Sequence, residues 1–340
     1  MKSNKGTKLG LVLSGGGAKG AYQAGILRYM AEQNIQPAMV SGTSIGALNA
    51  AIISAQKDIS KASDVINTIW QELSKTDPIE FKKAPFILSS AAILLSFSNI
   101  LSRTIVGVAI DKAIDKTGLV GEKPLNNILA DNAPVKLLKT GLPLYVSLYE
   151  SEGSGADLVK YFSTTLLNSL SKDTKESEFK HIQSLSSEIM HEAIMASAAL
   201  PYLFKAQDIE GKKYRDGGMG GVIHEQGNTP AQPLVEAGCT HLIVSLLSDG
   251  SMFDRHNPIY KDVAIIEVRP KEFISTSMRD MLAFTPDKIK LWIEQGYEDA
   301  KRCVGNSLRA LSLINKNESN KAKVVNVLQD LKNDGFHIGD

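Results

Sequence analysis

The sequence predicts an α/β fold built on a parallel sheet, and three observations near its start support this. Leu9–Leu13 is a short apolar run that ends at glycines, which is typical of a buried parallel strand. A helical pattern follows over Ala21–Gln33, then a second short strand over Pro37–Ser41 and a second helix over Ile45–Gln56. Strand, helix, strand and helix within about 55 residues indicate βαβ winding, which places the two strands parallel to each other.

The composition is that of a globular protein. The chain has 340 residues, of which 43% are hydrophobic, and this suffices for a large domain with a sizeable core. A formal net charge of +1 gives no field over the whole surface that would attract nucleic acid, so we expect no nucleic-acid partner. The two cysteines, Cys239 and Cys303, form no C-x-x-C pair and favour a reducing compartment.

The residues before the first strand do not fit a secretory signal peptide. Lys2, Lys5 and Lys8 precede an apolar stretch that is shorter than the roughly 7–15 residues such a signal needs. We therefore expect a cytoplasmic or peripheral membrane protein. The sequence leaves open export by a route that does not use such a signal.

Further strands are predicted along the chain. Apolar runs predict strands over Leu142–Tyr149, His241–Leu247 and Val263–Val268. Phe204–Ile209 and Lys213–Arg215 predict a hairpin at one edge of the sheet.

Helices and loops are predicted between and after these strands. Thr229–Pro230 resembles a helix start, with the proline at the first helical position, and Gly238 would close this helix. The pattern is helical from Pro286 onward, and Lys321–Lys332 predicts a last amphipathic helix. Lys172–Lys180 carries mixed charges and serines and is expected to be an exposed loop.

The stretch Ala84–Ile110 differs from the rest of the chain, because Arg103 is its only charged residue. At helical spacing, its polar residues fall on one face and its large apolar residues on the other. Three interpretations stay open: a buried helix or helix pair, a lid or membrane-contacting element, and a transmembrane span, for which about 20 apolar residues suffice.

Residues 42–46 read Gly-Thr-Ser-Ile-Gly, which matches the G-x-S-x-G pattern of a nucleophile elbow. The predicted strand ends just before this pentapeptide, and the predicted helix begins just after Ser44. Gly42 and Gly46 leave room for a sharp strand-to-helix turn, which would present the Ser44 hydroxyl at a helix N-terminus. The pattern in this context indicates a nucleophilic serine.

The segment Gly15–Gly20 spells G-x-G-x-x-G after the first strand, which is also the dinucleotide-binding fingerprint. A dinucleotide fold needs a carboxylate at the end of the second strand, but here that strand runs into Ser41–Ser44. A phosphate loop needs its lysine after the glycine, whereas Lys19 precedes Gly20. Beside a nucleophilic serine, backbone N–H groups of this loop can hold the oxyanion of a tetrahedral acyl intermediate.

Activation of Ser44 requires a base, and Asp216 is the leading candidate. It follows a short predicted strand and precedes Gly217 and Gly218, which let a carboxylate approach another loop closely. None of the six histidines stands in an obvious catalytic context, and His224 is kept in reserve. Free aspartate is a weak base with a pKa of about 3.9, so we expect burial or hydrogen bonding to assist Asp216.

Taken in order, the motifs SGGGAKG, GTSIG and DGG resemble those of bacterial patatin-like phospholipases, as do ASAALPYLF and NTPAQPLVEAG. The resemblance runs from about Leu9 to Leu247. It implies a three-layer α/β/α fold with a mostly parallel central sheet and C-terminal helices. It also implies a catalytic dyad, with Ser44 as nucleophile and Asp216 as proton acceptor, and no metal or cofactor. The oxyanion hole would be formed by backbone N–H groups of Gly15, Gly16, Gly17, Ala18, Lys19 and Gly20.

The implied activity is hydrolysis of lipid esters of the phospholipase A or lysophospholipase type, through an acyl-serine intermediate. Phospholipid or another lipid ester would be the substrate, met at a membrane surface. A thioesterase or acyltransferase with the same dyad is the alternative. Lys19 would orient the loop, meet a phosphate head group or stay solvated. Whether a protein activator or a second subunit takes part is left open.

The expected organisation is a catalytic domain over residues 1–270 with a helical C-terminal extension over 271–340 packed on it. An apolar helical lid or insert is expected within the domain at about residues 84–120, where it would overhang the site.

Overall fold

The computed structural model describes residues 7–75, 123–151, 173–199, 206–248, 251–272, 274 and 284–307. In these residues, eight strands form one mixed sheet between helices and loops. The strands are β1 (Leu9–Leu13), β2 (Met39–Gly42), β3 (Leu144–Glu150), β4 (Glu178–His181), β5 (Gln207–Ile209), β6 (Lys212–Asp216), β7 (His241–Ser245) and β8 (Ala264–Val268). The helices are α1 (Ala21–Glu32), α2 (Ile45–Gln56), α3 (Ile59–Leu73), α4 (Lys123–Asn132), α5 (Val135–Lys139), α6 (Met190–Ser197), α7 (Gln232–Glu236) and α8 (residues 286–307).

The sheet topology brings the ends of β1, β2 and β6 to the same end of the sheet. β3-β2-β1-β7-β8 are parallel neighbours in that order, and β4, β5 and β6 join through antiparallel pairs. Leu13 at the end of β1 pairs with Gly42 at the end of β2, so the loops after these strands leave side by side. Gly42 also pairs with Val146 of β3. β6 runs against β3 and ends at Asp216 opposite Leu148, which brings the end of β6 to the same end of the sheet.

Alternate residues of β1 face two separate cores, which gives the three layers. Leu11 and Leu13 belong to the larger core, between the sheet and α1, α2, α3, α6 and α8. Val12 belongs to the smaller core, where Leu234 of α7 and Phe253 cover the opposite face of the sheet. The predicted α/β/α fold with a mostly parallel central sheet is confirmed.

Helices α1 and α8 cross in backbone contact. A Cβ on Gly25 would overlap the carbonyl oxygen of Ile293, and a Cβ on Gly296 would overlap the carbonyl oxygen of Tyr22. The Tyr22 hydroxyl donates to the buried Asp299 carboxylate at 3.0 Å. Burial and this carboxylate raise the pKa of Tyr22. The described part of the C-terminal segment therefore packs tightly on the core, while the division at residue 270 stays a prediction.

Several elements have the bounds that the sequence predicts. β1 and α2 match residue for residue, and the edge hairpin is present as β5 and β6. The predicted helix start at Thr229–Pro230 is wrong, because α7 begins at Gln232 with Pro233 in its first turn. The threonine hydroxyl instead bonds with the Ser14 hydroxyl at 3.0 Å, and Ser41 donates to the proline carbonyl at 2.6 Å. These bonds tie the dipeptide to the ends of two strands.

The exposed loop predicted over Lys172–Lys180 is also wrong in its second half. Glu178–His181 forms β4, which pairs with β3, and Ser177 is buried. The charges of this stretch form ion pairs at the sheet edge, such as Lys175 with Glu150 at 2.6 Å. The mixed charges therefore belong to ion pairs beside a strand of the sheet.

Two predicted elements lie outside the described residues. They are the apolar segment Ala84–Ile110, with the lid expected over about residues 84–120, and the helix Lys321–Lys332. In the part of the chain that the structure describes, no helix is long and apolar enough to cross a membrane.

Candidate active site

Ser44 stands at a sharp turn between β2 and α2. Its φ of 55° lies in the left-handed region, which is strained for a residue with a side chain. A Cβ on Gly42 would overlap the carbonyl of Gly46, and one on Gly46 would overlap the carbonyl of Leu13, so both positions need glycine. The Ser44 N–H donates to the carbonyl and the hydroxyl oxygens of Ser197, at 3.0 and 3.1 Å. The predicted elbow is present, with its strain held by hydrogen bonds.

The glycine-rich loop after β1 lies directly against the elbow. A Cβ on Gly15 would stand 3.0 Å from the Cβ of Ser44, which places the two backbones in contact. Gly17 has a φ of 60° and begins a short 3-10 turn. Among the described residues, the backbone N–H of Gly16 has no acceptor. The start of the loop thus offers a backbone donor close to the serine.

The second half of the loop is buried rather than solvated. Ala18 and Lys19 are buried, and the Lys19 ammonium donates to the carbonyl of Leu247 at 3.2 Å. A Cβ on Gly20 would stand 2.8 Å from the indole ring of Trp70. Of the roles considered for Lys19, orienting the loop fits this position, and a solvated lysine does not.

Asp216 caps the short turn after β6. Its Oδ1 accepts from the Gly218 N–H at 2.8 Å, whereas its Oδ2 is buried and has no hydrogen-bond partner among the described residues. Burial raises the pKa of Asp216 to about 6, while the nearby Ser44 hydroxyl and the Gly218 N–H act in the opposite direction. A Cβ on Gly217 would overlap the carbonyl of Ser147, so the chain needs glycine there.

The carboxylate of Asp216 lies near the hydroxyl of Ser44. The serine hydroxyl lies close enough to the carboxylate to favour its charged form, yet no complete hydrogen bond joins them in this structure. Catalytic hydrogen bonds are often long without substrate and tighten when it binds. The raised pKa makes the carboxylate a stronger base than free aspartate.

Asn228 and Ser197 are two residues whose contacts with the site sequence reasoning missed. Asn228 Oδ1 accepts from the Gly15 N–H at 3.2 Å and would lie 3.1 Å from a Cβ on Gly218, so Asn228 lies between the glycine loop and the acid turn. Ser197 accepts from the N–H of Ser44. It also donates to the carbonyl of Ser147 at 2.8 Å. The only sequence signal for either residue was its place in the stretches ASAALPYLF and NTPAQPLVEAG.

His224, the histidine kept in reserve, is exposed, whereas Ser44 is only 6% exposed. Among the hydrogen bonds of the described residues, none joins its ring to the site. In the same residues, no group of three or more His, Cys, Asp or Glu side chains is arranged to hold a metal ion.

Comparison with known proteins gives a family that agrees with this geometry. The family model of patatin-like phospholipase matches residues 11–231, a span that contains the glycine loop, the elbow and Asp216. The chain belongs to the patatin-like phospholipase family. This match agrees with the resemblance found in the sequence motifs.

Curated relatives match over shorter stretches. A patatin-like phospholipase domain-containing protein of Caenorhabditis elegans is 48% identical over 54 residues, which is 16% of this chain and 5% of the relative. A lysophospholipase of Aspergillus terreus is 43% identical over 54 residues, which is 16% of this chain and 4% of the relative. The neuropathy target esterase of Drosophila melanogaster is 46% identical over 70 residues, which is 21% of this chain and 5% of the relative. The aligned stretches thus make up a small fraction of these long relatives.

Among solved structures, VipD from Legionella pneumophila aligns with 87% of this chain and 66% of its own. The two are 15% identical, with a TM-score of 0.39, a weak overall likeness.

Proposed function

We propose that this patatin-like protein is a metal-independent serine lipid acyl hydrolase of the phospholipase A or lysophospholipase type. The observation that carries the proposal is the buried Asp216, whose pKa is raised to about 6 and whose Oδ2 has no hydrogen-bond partner among the described residues, beside the strained elbow of Ser44. A carboxylate that lacks one hydrogen bond and is more basic than usual is suited to accept the serine proton.

In the first half of the reaction, Ser44 Oγ attacks the ester carbonyl carbon and its proton passes to Asp216. The carbonyl oxygen becomes an oxyanion as the Oγ–C bond forms. When the tetrahedral intermediate collapses, the bond from carbon to the alcohol oxygen breaks, and the alcohol leaves with the proton from Asp216. The product that stays on the protein is an acyl-serine.

In the second half, a water molecule repeats the attack. The water oxygen bonds to the acyl carbon while Asp216 takes a proton from the water. The bond from the acyl carbon to Ser44 Oγ then breaks, and Oγ takes that proton from Asp216. A fatty acid is released and the site returns to its starting state.

The oxyanion needs donors that are fixed before the reaction begins. The N–H of Ser44 is held by Ser197, so this donor is engaged. The N–H of Gly16 has no acceptor among the described residues and lies in the loop that contacts the elbow. We assign the oxyanion to the glycine loop on this basis. Removing one such donor lowers the rate by about 10²–10³ in comparable sites.

Lipid esters are proposed as the substrate class because the chain belongs to a phospholipase family and two of its relatives are named lysophospholipase and esterase. We propose a membrane surface as the place of action, with peripheral contact. The apolar stretch Ala84–Ile110 would supply that contact.

The deciding experiment is labelling with a fluorophosphonate probe, followed by peptide mass spectrometry and a lysophospholipid hydrolysis assay. We expect modification at Ser44, loss of both signals in Ser44→Ala and strong reduction in Asp216→Asn. Ser54→Ala is the matched control, since this buried serine lies at the far end of α2 and donates to Leu142. Hydrolysis that persists in Ser44→Ala, or that EDTA abolishes, would refute the proposal.

A further inference from the structure

Two buried side-chain amides hold the two ends of the glycine loop. Gln23 Nε2 donates to the carbonyl of Ser14, just before the loop, at 2.8 Å. Asn49 Nδ2 donates to the carbonyl of Gly20, at the end of the loop, at 3.3 Å. The side chains involved are on α1 and α2, so neither belongs to the loop itself.

The two amides are also bonded to each other and to an indole. Asn49 Nδ2 donates to Gln23 Oε1 at 2.8 Å, and Asn49 Oδ1 accepts from Trp70 Nε1 at 3.3 Å. Gln23, Asn49 and Trp70 are 0%, 3% and 1% exposed. Such a network, away from water and with its polar atoms paired, is rigid and has one arrangement.

Asn49 connects the loop to the nucleophile. It lies in α2, five residues after Ser44, so its bond to Gly20 joins the helix that follows the serine to the loop. Trp70 of α3 packs against Gly20, and its ring stacks on Phe284 at 5.9 Å between centroids and 6° between planes. The network therefore links both sides of the site to the segment that precedes α8.

We propose that Asn49 is a positioning residue that, with Gln23 and Trp70, fixes the oxyanion-binding loop relative to Ser44. The proposal rests on the function assigned to the glycine loop above. A donor displaced by about 1 Å from the developing oxyanion can lower the rate by about 10²-fold, while ground-state binding of the lipid chain changes little. The network thus acts on kcat more than on KM.

The test compares Asn49→Ala and Gln23→Met with Asn67→Ala in the full chain. Asn67 is the matched control, because its amide also joins α3 to a carbonyl of α1, that of Ala24, but does not touch the loop. We expect kcat on a soluble short-chain ester to fall about 10- to 100-fold in the two network variants, with KM within about 3-fold. In Asn67→Ala, kcat should stay within about 2-fold of wild type. Because Asn49 and Gln23 share one network, the loss in their double variant should be well below the product of the single losses.

A second readout reports on the oxyanion site directly. A trifluoromethyl ketone inhibitor forms a tetrahedral adduct whose oxygen needs the same donors, so its Ki should rise in parallel with the fall in kcat/KM. Trp70→Phe keeps an aromatic ring but loses the indole N–H and part of the ring surface that packs against Gly20, and should show a loss of the same kind.

The proposal is overturned if Asn49→Ala behaves like Asn67→Ala, if only KM changes, or if the double-variant losses multiply. These results would leave the proposed hydrolase intact as long as Ser44→Ala remains inactive. Activity that survives in Ser44→Ala would instead refute the hydrolase assignment itself.

Discussion

The buried carboxylate of Asp216 makes a quantitative prediction about stability. Its pKa is 3.8 in the ordinary case and about 6 in the folded protein. Between these pH values the folded protein keeps a proton that the unfolded chain has lost, so the free energy of unfolding falls as pH rises through this window. A pKa difference of roughly two at 1.36 kcal/mol per unit makes ionisation of Asp216 cost about 3 kcal/mol of stability above pH 6.

Asp216→Asn removes this titration and keeps a neutral group of the same shape. We expect the variant to gain stability over wild type by about 1 kcal/mol at pH 4.5 and about 3 kcal/mol at pH 8. Urea unfolding followed by circular dichroism at several pH values measures this difference. Asp299→Asn is the control, because this buried carboxylate accepts from Tyr22 and Arg302 and its change should destabilise the protein at pH 8, where Asp216→Asn stabilises it.

The same group governs activity in the proposed mechanism. The kcat/KM of wild type should rise about tenfold per pH unit up to about pH 6 and then level off, because the base must be ionised. Asp216→Asn should lose about 10²–10⁴-fold in rate. A stability difference between Asp216→Asn and wild type that does not change with pH would refute the reasoning. So would a variant less stable than wild type at pH 8, since either result means that the carboxylate is well solvated or paired.

Three further predictions address the elbow, the helix crossing and the membrane. Ser197→Ala removes the side-chain acceptor of the Ser44 N–H and should lower kcat about 10-fold with a loss of about 1 kcal/mol in unfolding free energy, measured by steady-state kinetics and urea unfolding. Gly25→Ala pushes a Cβ into the carbonyl of Ile293 and should lower the unfolding free energy by about 1–3 kcal/mol, measured by urea unfolding; an unchanged midpoint would contradict the crossing. Phe97→Glu should lower hydrolysis of vesicle lipids more than hydrolysis of a soluble short-chain ester, and equal losses would argue against a membrane contact there.

The first part of the fold was predictable because its signals are local. β1 and α2 follow from an apolar run and a helical pattern whose bounds are set by glycines and by the elbow. The parallel strand order follows from βαβ winding, because the crossover returns the chain to the end of the sheet at which the first strand began. The turns that carry Ser44 and Asp216 were predictable for the same reason, as Gly42, Gly46 and Gly217 each occupy a position where a Cβ would overlap a backbone carbonyl.

The rest depended on contacts between residues far apart in sequence. Pro230 looked like a helix start, but its carbonyl is held by Ser41, and nothing in the local sequence announces this bond. Ser177 and its charged neighbours looked solvated, yet Ser177 is buried and donates to the carbonyl of Gly217. Asn228 and Ser197 are ordinary polar residues, and their contacts with the site depend on residues far away in the sequence.

Because α1 and α8 cross in close contact, the folded domain extends beyond the residues that match the family model. The family match ends at residue 231, but β7 and β8 lie beyond it, and β7 is the neighbour that covers one side of β1. A chain cut at residue 231 would leave β1 as a bare sheet edge and expose the face of α1 that α8 covers at Gly25, both of which invite aggregation. Recombinant work on the candidate active site should therefore retain the residues up to at least 307, since aggregation of a shorter fragment would hide the properties of the site.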